Sequence, residues 1–182
     1  EIGQEGTGPG QFNQPRGVAY DSSGNLWVTD YGNHRIQIFD QNGNFIRQFG
    51  NYSEYPTFRQ AYASVMDGDG KIYVSENQNH RVLLLSPNGK FERVVATKGT
   101  QTGQVTNPRG VALDQTGNLY VADSGNKRVQ VFAPDGSYLR TVGSPIVFDS
   151  PWGVTVNDAG QLFVSDYTQN RIHVFDQAGN LL

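Results

Sequence analysis

Asp30-Tyr31-Gly32-Asn33-His34-Arg35 returns as Glu76-Asn77-Gln78-Asn79-His80-Arg81, as Asp123-Ser124-Gly125-Asn126-Lys127-Arg128 and as Asp166-Tyr167-Thr168-Gln169-Asn170-Arg171. An acid, four residues and an arginine therefore occur four times, with the arginines 46, 47 and 43 residues apart. A period of this size, with several short strands in each unit, signals a propeller or a solenoid rather than a globule with one core.

Working outward from the first copy gives the content of one unit. Pro15-Arg16-Gly17 opens a strand that runs on through Val18 to Asp21, and Ser22 to Asn25 form a turn. Leu26 to Asp30 alternate as a second strand, and Tyr31 to His34 make a loop. Arg35 to Phe39 form a third strand, Asp40 to Gly43 a turn, and Phe45 to Phe49 a fourth strand closed by Gly50. Four short strands joined by Gly-containing hairpin turns make one twisted antiparallel sheet. The second strand returns at Ile72, Leu119 and Leu162, and Pro15-Arg16-Gly17 returns as Pro108-Arg109-Gly110 and Pro151-Trp152-Gly153. The second unit departs there, with Ala61-Tyr62-Ala63.

Composition agrees. Aromatic residues make up 12% of the chain and glycine numbers 22, against only 17% charged residues. No segment holds a helical apolar period for three turns. The expected fold class is all-β, a β-propeller of four-stranded antiparallel blades. A net charge of −3 argues against nonspecific nucleic-acid binding. The absence of cysteine removes disulfides and thiolate metal sites. No apolar run reaches the roughly 20 residues of a membrane helix.

The repeated loops, together with Gly8-Pro9-Gly10-Gln11-Phe12-Asn13-Gln14-Pro15-Arg16-Gly17-Val18, resemble the NHL repeat. The resemblance covers all four units. It implies a propeller with a central channel, in this family usually of six blades. It does not imply one activity, since family members bind proteins or RNA and one branch is a zinc lyase.

The chain reads as one domain, residues 1–182. Its repeats fall at about 10–50, 56–99, 104–143 and 147–182, with 1–9 expected to complete the outer strand of the last blade. Joining Leu182 to Glu1 through one added residue keeps the period. Three arrangements stay open: a closed small ring, part of a larger propeller, or one unit of a head-to-tail assembly. In the last, Glu1-Ile2-Gly3 of one copy would pair beside Asn180-Leu181-Leu182 of the next.

Four sets of residues stand out. The acid–arginine pairs Asp30/Arg35, Glu76/Arg81, Asp123/Arg128 and Asp166/Arg171 flank the loop between second and third strands, where they are expected to act as structural clamps. Arg16, Tyr62, Arg109 and Trp152 vary inside a fixed frame at the start of the channel-lining strand, as a binding face would. Tyr31 and Tyr167 belong to the rim nearby. Asn51-Tyr52-Ser53 is an N-glycosylation triplet in a loop. Asp67-Gly68-Asp69-Gly70 reads as a turn rather than a calcium loop.

The three histidines do not converge by pattern, with His173 expected on the solvent side of its strand. No nucleophile elbow, phosphate loop or catalytic set is present, so neither metal nor cofactor is expected. The reading that follows is a non-enzymatic scaffold for protein interaction or self-assembly, with an extracellular or cell-envelope setting favoured by its uncharged polar side chains. Two alternatives stand beside it: a ligand- or RNA-binding propeller working through the channel-mouth residues, and a propeller lyase or lactonase.

Overall fold

Strand-forming segments separated by tight turns give, among the described residues, 18 β-strands and a single short 3₁₀ turn at Ser124–Asn126. The computed structural model describes residues 1–50, 59–144 and 146–182. The sequon at Asn51 lies outside the described residues.

Two short strands, β1 (Gln4–Glu5) and β2 (Gln11–Phe12), pair in parallel ahead of the first blade. That blade consists of β3 (Pro15–Tyr20), β4 (Leu26–Asp30), β5 (Arg35–Phe39) and β6 (Phe45–Phe49). The second is β7 (Ala61–Met66), β8 (Ile72–Glu76), β9 (Arg81–Leu85) and β10 (Phe91–Lys98), with β11 (Gln104–Val105) added at its edge. The third is β12 (Pro108–Leu113), β13 (Leu119–Asp123), β14 (Arg128–Phe132) and β15 (Tyr138–Val142). The fourth holds β16 (Pro151–Val156), β17 (Leu162–Asp166) and β18 (Arg171–Phe175), and Leu181 bridges to Phe175. Strand order within every blade follows the chain, each strand antiparallel to the next except β11, which lies parallel to β10.

The turns explain themselves locally. Asp21 accepts hydrogen bonds from the backbone N–H groups of Ser23 and Asn25, and Gly24 N–H closes onto Asp21 C=O. Asp67 and Asp114 repeat this at the same place in the next two blades, so Asp67-Gly68-Asp69-Gly70 is a turn.

The apolar core lies between blades, not within them. Trp27, Ile36 and Ile38 of the first blade meet Ile72, Val74, Leu83 and Leu85 of the second. Tyr73, Val82 and Leu84 meet Val111, Leu119, Val121 and Phe132. Tyr120, Val129 and Val131 meet Leu162, Val164 and Phe175. The inner strands β3, β7, β12 and β16 stand side by side in that order. The faces at the two ends of the row are not stacked on each other. Val18 and Tyr20 are 67% and 68% exposed, and Ile172 is 66% exposed, where its counterparts Ile36, Val82 and Val129 are fully buried. The four blades therefore form an open row, not a closed small ring.

Two inter-blade devices tie this row together. On β4, Thr29 Oγ1 accepts from Gly17 N–H (2.7 Å) and donates to Tyr62 C=O of the next blade (3.1 Å). Ser75 repeats the bridge between Ala63 N–H and Arg109 C=O. At the outer rim, Arg47 donates to Pro87 C=O (3.1 Å), Arg93 to Pro134 C=O (2.7 Å) and Arg140 to Gln177 C=O (2.9 Å), each a turn of the following blade.

Candidate binding site at the channel mouth

Each inner strand breaks register at its start. The shifts fall between Pro15 and Val18, Ala61 and Ala63, Pro108 and Val111, and Pro151 and Val154. Such a bulge re-aims the residue it carries. Here those residues are Arg16, Tyr62, Arg109 and Trp152, and the four bulges turn them toward one another at the end of the channel.

The result is a continuous ladder of rings and guanidinium groups drawn from all four blades. Arg16 sits 4.9 Å from the ring centre of Tyr31 and 5.7 Å from that of Tyr62. Tyr31 and Tyr62 meet edge to face at 6.0 Å. Arg109 lies 5.9 Å from the Tyr62 ring and 4.0 Å from that of Trp152. Trp152 stacks on Tyr167 at 4.0 Å with the planes only 7° apart, and Tyr167 is 63% exposed. Guanidinium over an aromatic face is held by the ring quadrupole.

Two of the aromatic residues have their polar atoms engaged. Tyr31 Oη donates to Gln60 Oε1 (2.7 Å), and Trp152 Nε1 donates to Ser150 Oγ (3.1 Å). The arginines are less engaged. Among the described residues Arg109 donates only to Ser150 Oγ, at 3.3 Å, while its Nε is buried without a partner there. Burial first, and then the nearby Arg16 charge, push the Arg109 guanidinium below its ordinary pKa, with the surrounding tyrosines opposing. Neither Arg16 nor Arg109 forms an ion pair among the described residues.

The acid–arginine pairs behave differently. Arg35 Nε meets Asp30 Oδ2 at 2.7 Å, Arg81 meets Glu76, and Arg128 Nε meets Asp123 Oδ2 at 2.8 Å. Asp30 also accepts from Asn13 N–H, and Arg35 donates onward to the carbonyls of Thr7, Gly8 and Gln11. Each pair thus fastens the segment that leads into its blade. Burial pushes the Glu76 and Asp123 carboxyls up, against the pull of their arginines and N–H donors.

The fourth blade has no such ion pair among the described residues. Its leading segment is shorter and turns on Ser144, and Asp166 accepts from the N–H groups of Asp149, Ser150, Thr168 and Gln169. Arg171 is exposed.

Two further features were not legible beforehand. His34 and His80 each accept, through Nδ1, a hydrogen bond from the next blade's leading segment, from Gln60 N–H (3.1 Å) and Asn107 N–H (2.9 Å). They are inter-blade links, and burial holds His80 below the usual histidine range, helped by Lys98. His173 does not face solvent. It is buried against Phe148, at the position of the buried Gln37 and Gln130. The leading segment covers that face of the third strand: Gln11 C=O accepts from Gln37 Nε2.

Clefts of about 290 and 370 Å³ lie at the opposite end, between the turns around Asp67, Asp114 and Asp158. Two of their polar groups are engaged within the protein, Asp114 by Thr116 and Asn118, and Arg140 by Gln177.

A sequence profile described as NHL repeat matches residues 12–39, 106–132 and 148–175. The human protein named NHL repeat-containing protein 3 is 56% identical over 39 residues, which cover 21% of this chain and 11% of that protein. The Drosophila melanogaster protein named brain tumor is 48% identical over 50 residues, covering 28% of this chain and 5% of its own. Among solved structures, a streptogramin B lyase superposes with a TM-score of 0.76 at 20% identity, over 92% of this chain and 53% of the other. A gluconolactonase from Xanthomonas campestris gives 0.73 at 23% identity, over 92% and 60%.

The chain thus spans a small fraction of these curated relatives and little more than half of either enzyme. At such identities the structural likeness shows the fold alone. It nevertheless corrects one expectation. A non-enzymatic character does not follow from the lack of a catalytic motif, because the solved structures that share this fold include enzymes. Reacting groups contributed by separate blades meet in space without leaving a local signature.

Proposed function

We propose that this chain, an NHL-repeat β-propeller, binds a partner protein at the channel mouth, with Trp152, Tyr167 and Arg109 as anchors. The observation that supports this is the ladder from Tyr31 to Tyr167, assembled from four blades around an arginine that has no counter-charge among the described residues. Trp, Tyr and Arg are the residue types that dominate the energetics of protein interfaces. The rings are held by one another, and Tyr31 and Trp152 also by hydrogen bonds to Gln60 and Ser150, so little side-chain freedom is lost on binding.

The test is selection of a random peptide library of about twelve residues against the immobilised protein, followed by titration of the selected peptides. Tyr167→Ala, at an exposed position where folding is not at stake, should weaken them by about tenfold or more. Selected peptides that bind Tyr167→Ala and Trp152→Ala as well as the parent protein would place the interface elsewhere.

A further inference from the structure

The six residues at the mouth divide by chemistry into an apolar half and a cationic half. Trp152 and Tyr167 offer one open aromatic face, on the outer side of Tyr167. Arg16 and Arg109 offer guanidinium N–H groups. Arg16 donates to no protein group among the described residues, and Arg109 donates only to a serine hydroxyl. Six other arginines are closely engaged: Arg35, Arg81 and Arg128 each lie against a buried carboxylate, and Arg47, Arg93 and Arg140 against turn carbonyls, while Arg171 is exposed to solvent. Arg109 stands apart. A buried guanidinium nitrogen without an acceptor is costly unless something supplies one.

Resting on the reading that this mouth is a protein-binding site, we propose that it recognises an acidic peptide segment. A carboxylate accepts from Arg109 and Arg16, and a neighbouring flat apolar side chain lies on the open face of Tyr167. The carboxylate geometry matches a guanidinium fork, which an amide does not replace.

A polyanion fits less well. Binding along a nucleic acid grows with the number of phosphates neutralised, and the mouth supplies two arginines. Lys71 and Lys127 are committed to Glu92 and Asp149, and the chain as a whole carries a net charge of −3. A ligand with one or two negative groups gains the arginines without meeting repulsion from the remaining surface.

The experiment uses the peptides selected above, sorted by sequence. The proposal expects those lost on Tyr167→Ala to be enriched in Asp or Glu. Replacing that acid by its amide should weaken binding about tenfold, and Arg16→Gln, at an exposed position, should weaken it similarly while leaving the thermal midpoint unchanged. Arg109→Gln should do the same, with circular dichroism confirming the fold.

Selected peptides that need Tyr167 but contain no acid would overturn this inference and leave the protein-binding reading standing. Peptides indifferent to Tyr167 would remove both. An oligouridylate of about ten nucleotides that binds more tightly than any selected peptide at low salt would overturn the choice of partner in favour of nucleic acid.

Discussion

Thr29→Val removes one hydroxyl and keeps the shape of the side chain. Thr29 is fully buried, and its Oγ1 serves two groups at once: it accepts from Gly17 N–H within its own blade and donates to Tyr62 C=O in the next. The variant leaves a donor and an acceptor without partners at a blade boundary where water has little room. Each such loss costs on the order of 1–1.5 kcal/mol, so the pair should cost about 2–3 kcal/mol. For a chain of this size that corresponds to a fall in Tm of about 4–12 °C.

The protein contains its own controls. Ser75→Ala breaks the equivalent bridge between Ala63 and Arg109, and should match Thr29→Val. Ser165 Oγ accepts from Gly153 N–H with no bridge onward among the described residues, so Ser165→Ala should cost about half as much. Urea titration of the three variants measures the order directly. If Thr29→Val stays within about 0.5 kcal/mol of the parent protein, or if Ser165→Ala costs as much as the other two, the bridging argument fails.

Three more outcomes are expected. Gly110→Ala would put a methyl group 2.5 Å from Trp152 C=O and 2.9 Å from Val154 N, so β16 must shift, at a cost of about 1–3 kcal/mol, and Trp152 fluorescence should change with it. Asp30→Asn removes the charge facing Arg35 in a buried site and should cost about 3 kcal/mol by urea titration, more than any surface charge change.

His80 must stay unprotonated at Nδ1 to accept from Asn107, and burial lowers its pKa in the folded chain. The unfolded chain therefore binds protons first. The contribution is complete above about pH 6.5 and is lost as the pH falls below it. A His80→Gln variant, which keeps an acceptor that does not titrate there, should show a flatter fall in denaturation midpoint between about pH 7 and pH 5. An unchanged slope would assign the acid sensitivity to other groups.

Much of this architecture was legible in the sequence wherever its cause is local. The turns at Asp21 and Asp67 are set by a carboxylate that bonds to N–H groups two and four residues on, and that spacing is visible in one dimension. Three of the acid–arginine pairs are equally short-range, since each sits across one hairpin. The convergence of Arg16, Tyr62, Arg109 and Trp152 could be expected from their equivalent positions in the repeat, although the bulges that aim them could not.

What stayed hidden depends on neighbours distant in the chain. Arg47, Arg93 and Arg140 recur as regularly as the loop arginines, but their partners are backbone carbonyls about 40 residues on, which carry no residue type to search for. Gln37 and His173 look like solvent-facing strand residues because alternation is the only clue, and the segment that buries them comes from outside the strand. Asp166 and Arg171 keep the spacing of a pair and still do not form one; the loop before β16 is shorter, and the aspartate takes backbone donors.

The glycines at the start of the inner strands have a consequence for shape. Gly17 and Gly110 let adjacent blades touch backbone to backbone at the channel, whereas at the rim the Phe49 ring, packed on Trp27 of its own blade, fills the space against Gly89 of the next, and Arg47 is laid across the gap to Pro87. Each blade is therefore a wedge, thin at the axis and thick at the circumference. The curvature of the row is written as a gradient in side-chain bulk along the radius. Enlarging the thin edge or trimming the thick one should change the angle from each blade to the next while leaving every blade intact, and that angle governs how many blades bring such a row full circle.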